Sequence, residues 1–140
     1  MLLNDFFYIT QQSSKTSTEG KTQIDATLTL NKSHPIFAGH FPGQPLVPGV
    51  CMVQMVKEIM EVQLTKKLVL SSASNLKFLN MLIPNNHIEV NAEILYEEKA
   101  NRIEIDGRLF AENVTFFKVK GAFTLKALDH PKGRSKGFER

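Results

Sequence analysis

The 140-residue sequence has one cysteine, Cys51. That excludes an intramolecular disulfide and leaves a cysteine-based zinc site short of ligands. It fits a reducing compartment. No stretch approaches the ~20 consecutive apolar residues of a membrane span. The opening MLLNDFFYIT places Asp5 early and has neither a basic start nor a long apolar run, so it does not read as a secretory leader. A soluble cytoplasmic protein is the expectation. Internal repeats, low-complexity tracts and aromatic RNA-binding motifs are missing too. An excess of one charge is nearly missing. Lys and Arg total 17 against 14 Asp and Glu, giving a pI near 9.0. Residues 129–140 hold four of those bases and two of the acids, leaving 13 and 12 for the remaining 128 residues. A near-neutral body with a basic tail does not support nucleic-acid binding.

What is present is ordinary globular material: 42% apolar and 22% charged residues. Residues 1–128 are expected to form one domain and 129–140 a basic tail. A domain of this size has little interior to spare for a bulky ligand, which favours a site at a subunit interface.

Phe6–Gln12 is aromatic and β-branched and predicts a short strand, followed by a polar loop over Ser13–Thr22. Gln23–Leu30 alternates, with Ile24, Ala26, Leu28 and Leu30 on one face. Asn31–Gly49 carries Pro35, Pro42, Pro45 and Pro48, which argue against regular structure. Val50–Lys66 predicts a helix that is apolar around most of its circumference and so buried on more than one side. Its Gln54, Glu58 and Glu61 share one stripe. After Lys67 the pattern is β throughout: Leu68–Leu79, His87–Tyr96, Arg102–Phe110 and Val114–Ala127. The last puts Phe117, Val119, Phe123 and Leu125 opposite Lys118, Lys120 and Lys126. The sum is an α+β fold, a curved antiparallel sheet wrapped around one central buried helix.

Residues 34–50, HPIFAGHFPGQPLVPGV, closely resemble the signature of hot-dog-fold 3-hydroxyacyl-ACP dehydratases, in which a Gly-His-Phe-Pro loop runs into a Pro-Gly-Val helix start. Lys77-Phe78-Leu79 and Pro84-Asn85-Asn86 are similar to that family's following strand and turn. The resemblance covers about Phe6–Ala127. It implies dehydration of a 3-hydroxyacyl thioester to the trans-2-enoyl thioester, with no cofactor. It also implies acyl carrier protein as the partner and a dimer that joins the loop of one subunit to the helix of the other. Such an elimination needs a base for the C2 proton, a donor for the thioester oxygen and an acid for the leaving hydroxyl. By resemblance His40 is the base, the Gly49 N–H holds the carbonyl as Val50 opens the helix, and Phe41 and Pro42 shape the loop.

The family's acid lies fourteen residues after the histidine, where this chain has Gln54. Glutamine hydrogen-bonds but cannot supply a carboxylic proton. Four residues on, where many members have Gln, stands Glu58. Either Glu58 supplies the carboxyl from one turn down, or it belongs to the polar stripe and the pocket has lost its acid. A dehydratase is therefore the first expectation. A catalytically impaired acyl-binding or partner subunit, including a heterodimer with an active homologue, is the second, and an acyl thioesterase the third. His34 reads as a loop histidine. A His34/His40 metal pair has no third ligand, so no metal is expected. Cys51 reads as core, and Met52, Met55 and Met60 as core or tunnel lining. The lysine row reads as a solvated face able to steer an acidic carrier.

Overall fold

The computed structural model describes residues 5–39 and 46–127. Within them the chain forms β1 (Phe7–Thr16), β2 (Thr22–Leu30), a helical turn α1 (Ile36–Gly39), α2 (Gly49–Leu64), β3 (Leu68–Phe78), β4 (Glu89–Glu98), β5 (Ile103–Ala111) and β6 (Val114–Leu125). The six strands make one antiparallel sheet in the order β1-β2-β4-β5-β6-β3. β1–β2 is a hairpin and β4–β5–β6 a meander. The connection between them carries α2 across one face of the sheet and leaves β3 on the far edge beside β6.

The core follows from period-two strands meeting a period-3.6 helix. Ile24, Leu28, Val90, Ile94, Leu109, Phe117 and Phe123 are buried on the sheet's inner face. The register places Leu28 opposite Val90 and Ile24 opposite Ile94. Against them pack Cys51, Met55 and Ile59, and one position along, Met52, Val56 and Met60. Burying these six helical side chains is worth about 1.5–3 kcal/mol for each of the larger ones. Glu61 ties the far end of the helix to the sheet, its Oε2 accepting the Leu68 N–H at 2.8 Å where β3 begins.

The structure corrects four sequence expectations. α2 is buried on one broad stripe, not nearly all round: Val50 and Val62 are 55% and 56% exposed, because a single-layer sheet covers one side only. Ser13–Thr16 is strand, not loop. Its backbone pairs with β2 out to Thr16 opposite Thr22, and an edge strand needs no apolar side chains to do so. Ile36–Gly39 is helical within the segment read as irregular. Pro35 precedes it, a position where the missing N–H costs nothing. Leu125 is exposed, although Leu68, its partner on the same rung of β3, is fully buried.

β3 contains two bulges, at Leu70/Ser72 and at Ala73/Asn75. At each, a serine hydroxyl donates to a β6 carbonyl: Ser71 Oγ to Ala122 O at 3.0 Å and Ser74 Oγ to Lys120 O at 3.2 Å. Gly121 of β6 faces this stretch with no room for a side chain. A Cβ built there would overlap the Ser72 carbonyl oxygen and stand 3.0 Å from Ala73 Cα. No helix among the described residues is long and apolar enough to cross a membrane.

Candidate active site

The site is built on the first three turns of α2. Pro48 precedes the helix in extended conformation and offers no side-chain cap. Its carbonyl accepts the Cys51 and Met52 N–H groups. The Gly49 and Val50 N–H groups come before the helical ladder begins and have no acceptor among the described residues. Val47 N–H donates to Leu82 O at 2.9 Å, fixing this entry against the segment after β3.

An open groove of about 560 Å³ lies at this helix start. Val47, Gly49, Met52, Phe78, Leu82 and the half-buried Leu46 form much of its wall, with Asn80 the one polar side chain among the described residues that line it. Asn80 Nδ2 donates to Thr115 O at 2.8 Å, so that amide is already engaged. The rim is apolar as well, with Phe78 53% and Met81 71% exposed. Such a groove suits an acyl chain better than a polar metabolite.

Gln54 and Glu58 are half-buried and joined, Gln54 Nε2 donating to Glu58 Oε2 at 3.0 Å. The donor direction follows from chemistry, since an amide nitrogen only donates. The amide oxygen of Gln54 is thereby turned away from Glu58. At 1.5 Å rise per residue, Gln54 lies about 7.5 Å along the axis from Gly49, and Glu58 about 6 Å further. The expected stripe holds for these two residues. Glu61, the third member, is engaged at the start of β3 instead.

His40, Phe41 and Pro42 lie outside the described residues, as does the tail from 129 onward. Among the other candidates the structure puts Gly49 and Met52 in the wall of the groove, while Val50 is exposed and is not part of that wall. Met55 and Met60 are core. His34 Nδ1 accepts the Ile36 N–H at 3.0 Å, and its ring meets Phe6 edge-on at 5.4 Å. Lys118, Lys120 and Lys126 are exposed. Lys120 is 3.9 Å from Asp106. Sequence reasoning missed the packing of Phe78 against Gly49. The only signal was the family-like Lys77-Phe78-Leu79 string, which carries no hint of where the ring goes.

Cys51 lies between the groove-lining Gly49 and Met52 on the helix but is fully buried. Burial pushes its thiol up to about 11, because the thiolate would lose solvation. A neutral thiol is a poor nucleophile at pH 7. Iodoacetamide at pH 7.5 is therefore expected to leave the folded protein unmodified and to label it fully in denaturant, as read by intact mass. Labelling of the native protein at the denatured rate would contradict this packing.

The sheet order and the single long helix define a hot-dog fold. The dehydratase heterocomplex ApeI:P from Xenorhabdus doucetiae shares it with a TM-score of 0.61 at 23% identity, over 84% of this chain and 96% of that one. Residues 14–114 match the family model described as ApeI dehydratase, and the chain belongs to this ApeI-like family. Two curated relatives are 3-hydroxyacyl-[acyl-carrier-protein] dehydratases FabZ. That of Clostridium acetobutylicum is 33% identical over 75 residues, about half of each chain (49% and 52%). That of Ruminiclostridium cellulolyticum is 28% identical over 112 residues, 71% of this chain and 79% of its own.

Proposed function

We propose that the protein dehydrates a 3-hydroxyacyl thioester to the trans-2-enoyl thioester, with the acyl group delivered on the phosphopantetheine arm of an acyl carrier protein for fatty acid or related acyl-chain synthesis. The observation that carries this reading is the apolar groove at the first-turn amides of α2, which have no acceptor among the described residues, with the Gln54–Glu58 pair further along the same helix. The Gly49 N–H receives the thioester carbonyl and stabilises the enolate oxygen as charge develops. His40 removes the C2 proton. Across the proposed dimer, the C3–O bond breaks as the hydroxyl takes a proton from the partner subunit's Glu58 through a water held by the amide oxygen of the partner subunit's Gln54. Water leaves, and the proton on His40 returns to the partner subunit's Glu58 through solvent. Dimerisation is part of the proposal: β3 is an edge strand with Val69, Leu76 and Phe78 exposed along it.

The test is an assay of the purified protein on 3-hydroxyacyl-ACP, following enoyl product and free acid separately. Enoyl product is expected, with His40→Ala lowering its rate by about 10²–10⁴-fold, the usual contribution of a positioned base. Free acid in its place would assign thioester hydrolysis. No product of either kind from the homodimer would reject a stand-alone enzyme and favour a partner subunit. Gln54 is the specific observation behind that second reading, because it presents an acceptor where the reaction needs an acid.

A further inference from the structure

We infer that Phe78 is the specificity-determining wall of the groove, set to admit thioesters unbranched at C2 and to exclude C2-branched ones. This rests on the reading of Gly49 as the carbonyl site. A Cβ built on Gly49 would stand 2.8 Å from Phe78 Cε1 and 2.9 Å from Cζ. The edge of the ring therefore lies directly against the first residue of α2. On that reading of Gly49, the C2 carbon of an acyl group held by its N–H comes beside the ring.

The ring is held as a wall and not as a flap. Its face stacks on Phe117 with centroids 5.0 Å apart and planes 23° apart, and Phe117 is fully buried. The backbone pairs Phe78 with Phe117 on the last rung of the β3–β6 ladder. Immediately beyond it, Leu79 N–H donates to Phe116 O at 2.9 Å and Asn80 Nδ2 to Thr115 O at 2.8 Å. One side of the ring is fixed to the core while more than half of the residue remains exposed along the groove. A methylene-sized difference in such an apolar site discriminates substrates by roughly 10–200-fold.

The experiment compares straight-chain and 2-methyl-branched 3-hydroxyacyl pantetheine thioesters as competing substrates, with Kd for the matching non-reactive pantetheine amides measured alongside by calorimetry. The full-length protein is expected to favour the straight chain by at least about tenfold. Phe78→Ala and the gentler Phe78→Leu are both expected to reduce that ratio, Ala to near unity. Gly49→Ala, which drives a methyl into the ring, is expected to weaken binding of the straight-chain amide. Adding Phe78→Ala is expected to recover it, a coupling that general destabilisation would not produce. A ratio unchanged in both Phe78 variants, or no recovery in the double variant, overturns the inference. Enoyl formation by the wild type reports separately on the reading beneath it. If the wild type makes no product, the amide Kd ratios still decide the role of Phe78.

Discussion

Gln54→Glu is expected to raise the rate of enoyl formation, and Glu58→Gln to lower it, each by a factor within about 10²–10⁴. Both follow from the 3.0 Å contact between Gln54 Nε2 and Glu58 Oε2. Replacing the amide with a carboxyl puts two acids at that separation in a half-buried place. Two carboxyl groups so close share one proton to higher pH than either would hold alone. That proton sits at the family's acid position, ready for the leaving hydroxyl without a mediating water. Glu58→Gln instead leaves two amides and no proton source on the helix. The double variant restores the family's order of Glu then Gln, so its rate is expected above that of Glu58→Gln alone.

The pH dependence has a definite sign. The shared proton is lost as pH rises, so the rate of Gln54→Glu falls on the alkaline side. Its stability follows the same course. A carboxyl whose folded value is raised above its unfolded value stabilises fully below about pH 4.3 and loses that contribution as pH rises through the raised value. Melting curves at pH 5 and pH 8 are expected to separate further for the variant than for the wild type. If Gln54→Glu leaves the rate unchanged and Glu58→Gln does no harm, no carboxyl on this helix takes part.

The largest expected loss of stability is at Gly121. An alanine there places its methyl into the Ser72 carbonyl oxygen and against Ala73 Cα. Both obstacles are backbone, so no side chain can swing aside. The hydroxyls of Ser71 and Ser74 hold that backbone to the very strand that carries Gly121. Overpacking usually costs about 1–3 kcal/mol, and the upper end applies where only backbone can yield. A fall of roughly 10 °C in melting temperature is the corresponding shift. Gly20→Ala is the control. Its φ of +88° is unfavourable for alanine, but nothing lies within 4 Å of the added methyl, so about 1–2 kcal/mol is expected. Equal melting temperatures for Gly121→Ala and the wild type would mean that β3 is free to move away.

The sheet was legible where side chains report on both faces. Ile24, Ala26, Leu28 and Leu30 alternate, and all four are buried. Ser13–Thr16 was illegible because main-chain pairing with β2 holds it, and composition is silent about main-chain pairing. The Gln54–Glu58 contact was legible in part: four-residue spacing on a helix is enough to bring two side chains together. Phe78 against Gly49 was not, since it depends on β3 crossing to the far edge of the sheet and on two bulges that set where the strand ends. Leu125 was misassigned because alternation says which side a residue faces but not how much of it the neighbouring chain covers: its rung partner Leu68 is buried and Leu125 is not.

The place of β3 beside β6 sets a timetable for synthesis. β1 and β2 can close on each other as soon as they leave the ribosome. β3 emerges well before its only neighbour in the sheet, because β4 and β5 are translated first. At roughly 5–20 residues per second that interval lasts seconds, far longer than a hairpin takes to form. Throughout it the nascent chain displays Val69, Leu76 and Phe78 without the strand that will hold them. β6, the last of the described strands to be made, completes the sheet, and a chain stalled before it would leave β3 without the strand it pairs with.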